Sequence, residues 1–222
     1  MPGALALAGT AGYINSVVLG FFHTPVSHMT GAVSRLGLDA AAGETNDVRA
    51  SLAIIIGFVS GAMAGGMMVG AQKLVPSRRY GAAMVTEGVL VGVAMWLLLL
   101  RHRLGLPTIA MACGLQNSVS SSYCGLAIRT THVTGLVTDV GVMLGHWLRH
   151  RRVDWAKLRF LVLLFLAFGA GGWLGAVFDL HFGPAALAIP AGGCVVAGTI
   201  FWWLANRGAL RLPARAKARA EV

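Results

Sequence analysis

Residues 27–33 read Ser-His-Met-Thr-Gly-Ala-Val and residues 131–137 read Thr-His-Val-Thr-Gly-Leu-Val, so one motif occurs twice, 104 positions apart. A second block precedes each copy: residues 12–17 read Gly-Tyr-Ile-Asn-Ser-Val, and residues 114–119 read Gly-Leu-Gln-Asn-Ser-Val. In a third block, Phe58, Gly61 and Gly65 fall on Phe168, Gly171 and Gly175, 110 positions later. Three blocks in the same order predict an internal duplication.

The apolar composition favours a membrane protein. Of the 222 residues, 56% are hydrophobic and 12% charged, whereas a soluble domain carries about 25% charged residues. The apolar residues run in blocks of about 20, the length that crosses a hydrocarbon core of about 30 Å. The strong blocks are Ser51–Ala71, Tyr80–Leu100, Phe160–Val177 and Pro184–Ala205, and the softer ones are Gly3–Phe22 and Pro107–Ile128. We therefore expect an all-α polytopic membrane protein.

The net charge of +10 follows the ends of these blocks. The basic clusters are Lys73, Arg78 and Arg79, then Arg149, Arg151 and Arg152, and finally the tail from Arg207 to Arg219. This is the positive-inside pattern, so we expect a cytoplasmic C-terminus whose basic tail, residues 207–222, contacts anionic lipid headgroups. It argues against nucleic acid as a partner. The three cysteines are odd in number and lie in apolar segments without metal-ligand spacing, so we expect no disulfide, metal or other cofactor.

Each half of the duplication, residues 1–105 and 106–206, contains four pieces. An apolar span is followed by a short polar stretch opened by the His-x-Thr-Gly motif, at residues 26–42 or 131–148, and then by two strong spans. The short stretches suit half-helices better than lipid-facing spans.

The charge bias of equivalent loops swaps between the halves. Residues 43–49 carry Glu44, Asp47 and Arg49. The counterpart carries Arg149, Arg151, Arg152, Asp154 and Lys157 and is therefore basic. The next loop is basic in the first half, but its counterpart holds only Asp179 and His181. Swapped charge predicts two inverted repeats, with about six transmembrane crossings plus two short half-helices. Arg101 and Arg103 do not fit this topology, and eight crossings remain an alternative.

The duplicated motif is the first candidate site. A helix that begins at membrane depth leaves free backbone N–H groups, which a Thr or Ser can cap and whose dipole favours an anion. Two such starts, related by an axis in the membrane plane, would converge near the midplane, where transporters of this design bind substrate. The predicted substrate-binding residues are His28, Thr30, Gly31, His132, Thr134 and Gly135. Alternatively, these residues satisfy the helix break internally and allow tight packing.

Asn15 and Asn117 are the second repeated polar feature, each within an apolar span. Their amides are candidates for substrate binding, although either could equally join helices by hydrogen bonds.

Three charged residues are candidates for coupling or gating. Arg35 and Asp139 are equivalent under the offset of 104, so we expect that they pair or that each guards one side of a pathway. The alternative is that Arg35 lies near the membrane surface and Asp139 bonds to nearby hydroxyls. Glu87 lies within a strong span and could carry a proton, or it could be a neutral, hydrogen-bonded structural residue.

Gly57, Gly61 and Gly65 form a ridge of small residues with helical spacing. Such ridges let helices approach closely. The partner helix could belong to the same chain or to a second copy in a homodimer.

At these motifs the chain resembles the YoaK-like family of bacterial inner-membrane proteins, a family without an established function. The matching stretches are Gly-Tyr-Ile-Asn-Ser at 12–16, Ser-His-Met-Thr-Gly at 27–31, Gly-Leu-Gln-Asn at 114–117 and Thr-Thr-His-Val-Thr-Gly at 130–135. The chain departs from the family where Ala32 replaces the usual Asn and where His132 replaces Tyr or Phe. The resemblance implies a transporter-like protein of the bacterial inner membrane and brings no substrate.

The sequence therefore predicts a membrane transporter or channel-like facilitator for a small polar or anionic solute. The alternative is a non-transporting assembly or sensory partner that uses the glycine ridge and the basic tail. We do not expect an enzyme, because the chain has no Gly-x-Ser-x-Gly or His-Glu-x-x-His motif and only eight carboxylates, mostly in loops.

Overall fold

The structure, a computed structural model, describes residues 2–22, 26–69, 78–123 and 132–207. Within these ranges the chain is entirely helical, as predicted from its composition. The α-helices are α1 (Pro2–Phe22), α2 (Met29–Ala42), α3 (Thr45–Val69), α4 (Arg78–Leu99), α5 (Gly105–Tyr123), α6 (Val133–His150), α7 (Trp155–Phe182) and α8 (Ala188–Asn206), and a 3₁₀ helix (Gly183–Leu187) joins the last two. Lys73, Thr131 and the basic tail after Arg207 lie outside the described residues.

Four segments of the described chain are long and apolar enough to cross a membrane. They are Gly3–Phe22, Thr45–Val69, Arg78–Leu99 and Trp155–Asn206, of which the last contains both α7 and α8. Their outer faces expose large apolar side chains, including Trp96 and Trp173 at 63% and 68% exposure. Apolar surface on this scale suits contact with lipid rather than water, so the fold is compatible with an integral membrane protein.

The end of α7 differs from the prediction. Asp179 and His181, expected in a loop, lie within this helix, because the apolar pattern continues as far as Phe182. Gly183 then ends the helix with a φ of 56°. Pro184 was expected to begin a span but lies in the 3₁₀ helix, so α8 starts only at residue 188.

The loop predicted at residues 43–49 is also shorter than expected. Gly43 ends α2 in the left-handed conformation, with a φ of 75°, and α3 begins two residues later. Asp47 and Arg49 therefore belong to the first turns of α3. The acidic side chain of Asp47 suits the positive end of that helix.

Three close helix pairs organise the fold: α1 with α7, α3 with α5, and α4 with α8. Glycines allow the backbones to touch, because a methyl group at Gly12 of α1 would meet the carbonyl of Phe168 in α7. The equivalent Gly114 of α5 stands in the same relation to the carbonyl of Phe58 in α3. The pairing of α3 with α5 thus repeats that of α1 with α7, position for position.

The direction of each pair follows from the order of these contacts. Gly9 and Tyr13 of α1 meet Gly171 and Gly175 of α7, so the two helices run parallel. In α3, Gly57 and Gly61 meet Pro107 and Met111 of α5, which is again a parallel pair. In α4, Gly81 meets Gly198 of α8 whereas Gly88 meets Ala191, so this pair is antiparallel.

The partner of the predicted glycine ridge is now defined. Gly57, Gly61 and Gly65 all contact α5 of the same chain, and Gly61 and Gly65 are buried there. The ridge therefore packs against a helix of the same chain, which was one of the two partners expected for it.

We predict that Gly61→Ala lowers the free energy of unfolding by roughly 1–3 kcal/mol, the usual cost of overpacking. The added methyl would meet the main chain of Met111, which cannot rotate away as a side chain could. Gly66→Ala is the matched control on the same helix, since a methyl there meets nothing within 4 Å. Unfolding of the purified variants in detergent measures both, and equal effects would contradict the proposed contact.

Candidate functional site

Both copies of the His-x-Thr-Gly motif line one polar cleft of about 810 Å³. The first copy contributes His28 and Thr30, and the second contributes His132, Thr134 and Gly135. The other lining residues are Ser27, Met29, Phe58, Ala62, Asn117, Ser118, Val133, Thr138 and Asp139. Of the predicted binding residues, Gly31 and Asn15 are not on the wall of the cleft.

Asn15 lies behind the first motif and holds it by hydrogen bonds. The hydroxyl of Ser27 donates to Asn15 Oδ1 at 2.7 Å, and His28 Nδ1 lies 3.1 Å from the same oxygen. Because a carbonyl oxygen can only accept, the ring of His28 donates from Nδ1 and its Nε2 is left as an acceptor. Burial, and after it the nearby His132, lower the pKa of His28, which lies outside the long apolar helices. Both effects favour the neutral form of the ring over the protonated form.

At both helix starts the N-cap residue is a histidine whose side chain does not cap the helix. His28 and His132 are the N-cap residues of α2 and α6, and neither side chain bonds its own helix. Ser or Thr was considered as a cap from the sequence, but the N-cap residue of each helix is a histidine. The first turns of helices of 14 and 18 residues thus adjoin one cleft, and their dipoles contribute a positive potential there.

The two copies of the motif differ in exposure. His28 is half-buried, with its ring 6.1 Å from that of Phe168, whereas His132 is exposed. Asn117, the counterpart of Asn15, lines the cleft and donates from Nδ2 to the carbonyl of Cys113 at 3.1 Å. Among the described residues, the histidine of the first motif is therefore more covered than that of the second.

Of the two roles predicted for Arg35 and Asp139, pairing with each other is not seen among the described residues, and guarding the two sides of a pathway stays a prediction. Arg35 pairs with Asp39, at 3.8 Å between Nε and Oδ2, because residues four apart face each other on a helix. Asp39 also accepts a hydrogen bond from Ser51. Asp139 is exposed and lines the cleft, so it contributes a negative charge to the candidate site.

Glu87 lies apart from the cleft, in the core between α4, α5 and α8. Its side chain is 2% exposed and sits beside Cys194 of α8, and its Oε1 has no hydrogen-bond partner among the described residues. Glu87 is not on the wall of the polar cleft, and its role in coupling stays a prediction.

Some lining residues were not identified from the sequence. Phe58, Ser118 and Thr138 belong to this group, as does Ala62. Phe58 and Ser118 lie in the repeated blocks, so their repetition could have identified them as site residues. Their side-chain chemistry alone could not. Within the described part of the chain, no group of three His, Cys, Asp or Glu residues could hold a metal ion.

The sequence model of a family described as a protein of unknown function (DUF1275) matches residues 3–200. The match includes both copies of the motif and all but the end of α8. No curated protein and no solved structure matches the chain.

We predict that Asn15→Ala and His28→Ala are coupled in stability by about 0.5–3 kcal/mol, as expected for residues that share a hydrogen bond. Once Asn15 Oδ1 is absent, removal of the His28 ring should cost less, since their bond is already lost. The measurement is a double-mutant cycle of unfolding in detergent. The control cycle combines Asn15→Ala with Thr199→Val on the exposed face of α8 and should be additive within about 0.5 kcal/mol.

Proposed function

Because the chain belongs to the DUF1275 family of proteins of unknown function, we infer its activity from its own geometry, and we propose a membrane transporter or channel-like facilitator for a small polar or anionic solute. The observation that carries the proposal is the cleft shared by the starts of α2 and α6. Paired half-helix starts at a repeat interface are the arrangement by which many transporters bind a solute.

The directions of the helix pairs support six crossings with inverted halves. If α1, α3, α4, α5, α7 and α8 cross and the short helices do not, then α1 runs with α7, α3 runs with α5, and α4 opposes α8. All three relations agree with the contacts between these helices. Eight crossings would make α4 and α8 parallel, which the contacts of Gly81 and Gly88 disfavour.

The charges give this topology its proposed orientation in a bacterial inner membrane. The basic turn between α6 and α7 and the end of α8 fall on the cytoplasmic side, and the turn between α2 and α3 falls outside. Arg101 and Arg103, in the turn before α5, remain on the less usual outer side.

The cleft favours a solute that carries both hydrogen-bond acceptors and donors. The starts of α2 and α6 favour an acceptor or negative group, whereas His28 Nε2 and the Asp139 carboxylate favour a donor. Asp139 therefore weakens the preference for a simple anion that the helix starts alone would suggest.

We predict that a bound solute stabilises the wild-type protein in a thermal-unfolding screen of small anions, cations, amino acids and other metabolites. At 100 times its Kd, a ligand adds about 2.7 kcal/mol to a reversible unfolding free energy. The double variant His28→Ala/His132→Ala should lose this effect, because both rings line the cleft.

His146→Ala is the control, since this exposed histidine of α6 lies outside the polar cleft. A ligand retained by the double variant would move the site elsewhere. Reconstitution of the purified protein in vesicles then tests for flux of the ligand, and binding without flux would favour the non-transporting partner.

We also predict the sides of two turns. In a background without native cysteines, Asn46→Cys should react with a membrane-impermeant thiol reagent only from outside the cell. Val153→Cys, in the turn between α6 and α7, should react only from the cytoplasmic side. Finding residue 46 on the cytoplasmic side would contradict the proposed topology.

A further inference from the structure

A second cavity, of about 680 Å³, separates α1 from α8. Its walls are mainly apolar and include Ala6, Leu7 and Thr10 of α1 and Gly193, Ala197 and Phe201 of α8. The two helices make few contacts with each other.

The duplication gives this cavity a closed counterpart. The α1 residues Ala6, Leu7 and Thr10 correspond to Thr108, Ile109 and Ala112 of α5, 102 positions later. The α8 residues Gly193, Ala197 and Phe201 correspond to Ala83, Glu87 and Val91 of α4, 110 positions earlier. In that half α4 packs directly on α5, and Ala83, Glu87, Val91, Ile109 and Ala112 are all at most 2% exposed.

Equivalent surfaces are therefore closed between α4 and α5 and open between α8 and α1. We propose that the α4/α8 pair rocks between the two halves, so that in a second conformation α8 closes on α1 while α4 parts from α5. The closed half demonstrates that such surfaces can meet, and packed interfaces tend to be bistable rather than continuously deformable. The inference rests on the proposed transport function, for which it supplies the step of alternating access.

The polar cleft has the same asymmetry. One wall contains Phe58 and Ala62 of α3 and Asn117 and Ser118 of α5, and none of these described residues is known to contact His132. The corresponding residues of the other half, which include Asn15 and Phe168, contact His28 and cover that side. Exchange of the two arrangements opens the cleft on the side of the first motif and closes it on the side of the second. The shared lining residues, Thr134 included, then face the opposite side of the membrane.

The turn at residues 100–104 joins α4 to α5 and offers a competing explanation. On that explanation the covalent connection alone keeps α4 and α5 together, and the space between α1 and α8 is permanent. The decisive variant therefore fills the cavity without touching the cleft.

The experiment uses the full chain in which Cys113, Cys124 and Cys194 are replaced by Ala. Thr134→Cys, in the cleft, reports access to a membrane-impermeant thiol reagent applied to intact cells or to inside-out vesicles. Ala197→Phe fills the cavity, whereas Val196→Phe adds the same ring on the neighbouring lipid-facing position, which is 59% exposed.

We expect Thr134→Cys to react from both faces. Ala197→Phe should slow the reaction from one face by at least about tenfold and leave the other face reactive, since a ring in the cavity blocks closure of α8 on α1. Val196→Phe should leave both rates unchanged. The inference is overturned if Thr134→Cys alone reacts from only one face or from neither. It is also overturned if Thr134→Cys combined with Ala197→Phe reacts from both faces at the original rates.

If Ala197→Phe does not fold, a chemical cross-link between α1 and α8 tests whether the two helices approach each other. Ala11 and Ala197 correspond to Cys113 and Glu87, which lie near each other across the closed interface. The pair Ala11→Cys and Ala197→Cys should be joined by a short bifunctional thiol reagent in the membrane, and its absence overturns the proposal. Solute flux in a protein that fails these tests would leave the transport function intact and exclude only the rocking motion.

Discussion

Direct contact between helix backbones is the constraint on which this fold depends. Lipid tails are as apolar as leucine, so helices inside a membrane associate through close packing rather than through the hydrophobic effect. The glycines of α1/α7 and α3/α5 permit that packing, and each pair takes one helix from each half of the duplication. Neither half can therefore complete its packing alone. The interlocking also brings the starts of α2 and α6 to one cleft.

Much of this arrangement could be predicted from the duplication, because a repeated block marks a repeated structural role. The His-x-Thr-Gly motifs do begin two short helices. The sequence could not tell which surface covers the glycine ridge, since small residues allow close approach without selecting a partner. It also suggested that Arg35 pairs with Asp139, but the nearer carboxylate of Asp39 on the same helix forms the pair.

Equal sequence motifs do not produce equal environments in this protein. His28 is held by Asn15 and partly buried, whereas His132 is exposed in the same cleft. The difference arises from the packing of whole helices, since α4 lies against α5 while α8 stands away from α1. Sequence symmetry identifies which positions correspond, and only the fold reveals which member of each pair is covered.

The pairing of α1 with α7 also has a consequence for biosynthesis. Gly9 and Gly171 touch in the finished protein but are 162 positions apart in the chain. At 5–20 residues per second, Gly9 is synthesised roughly 8–32 s before Gly171. Gly61 and Met111 of the α3/α5 pair are only 50 positions apart, a delay of roughly 3–10 s. The first helix made is therefore among the last to meet its partner helix.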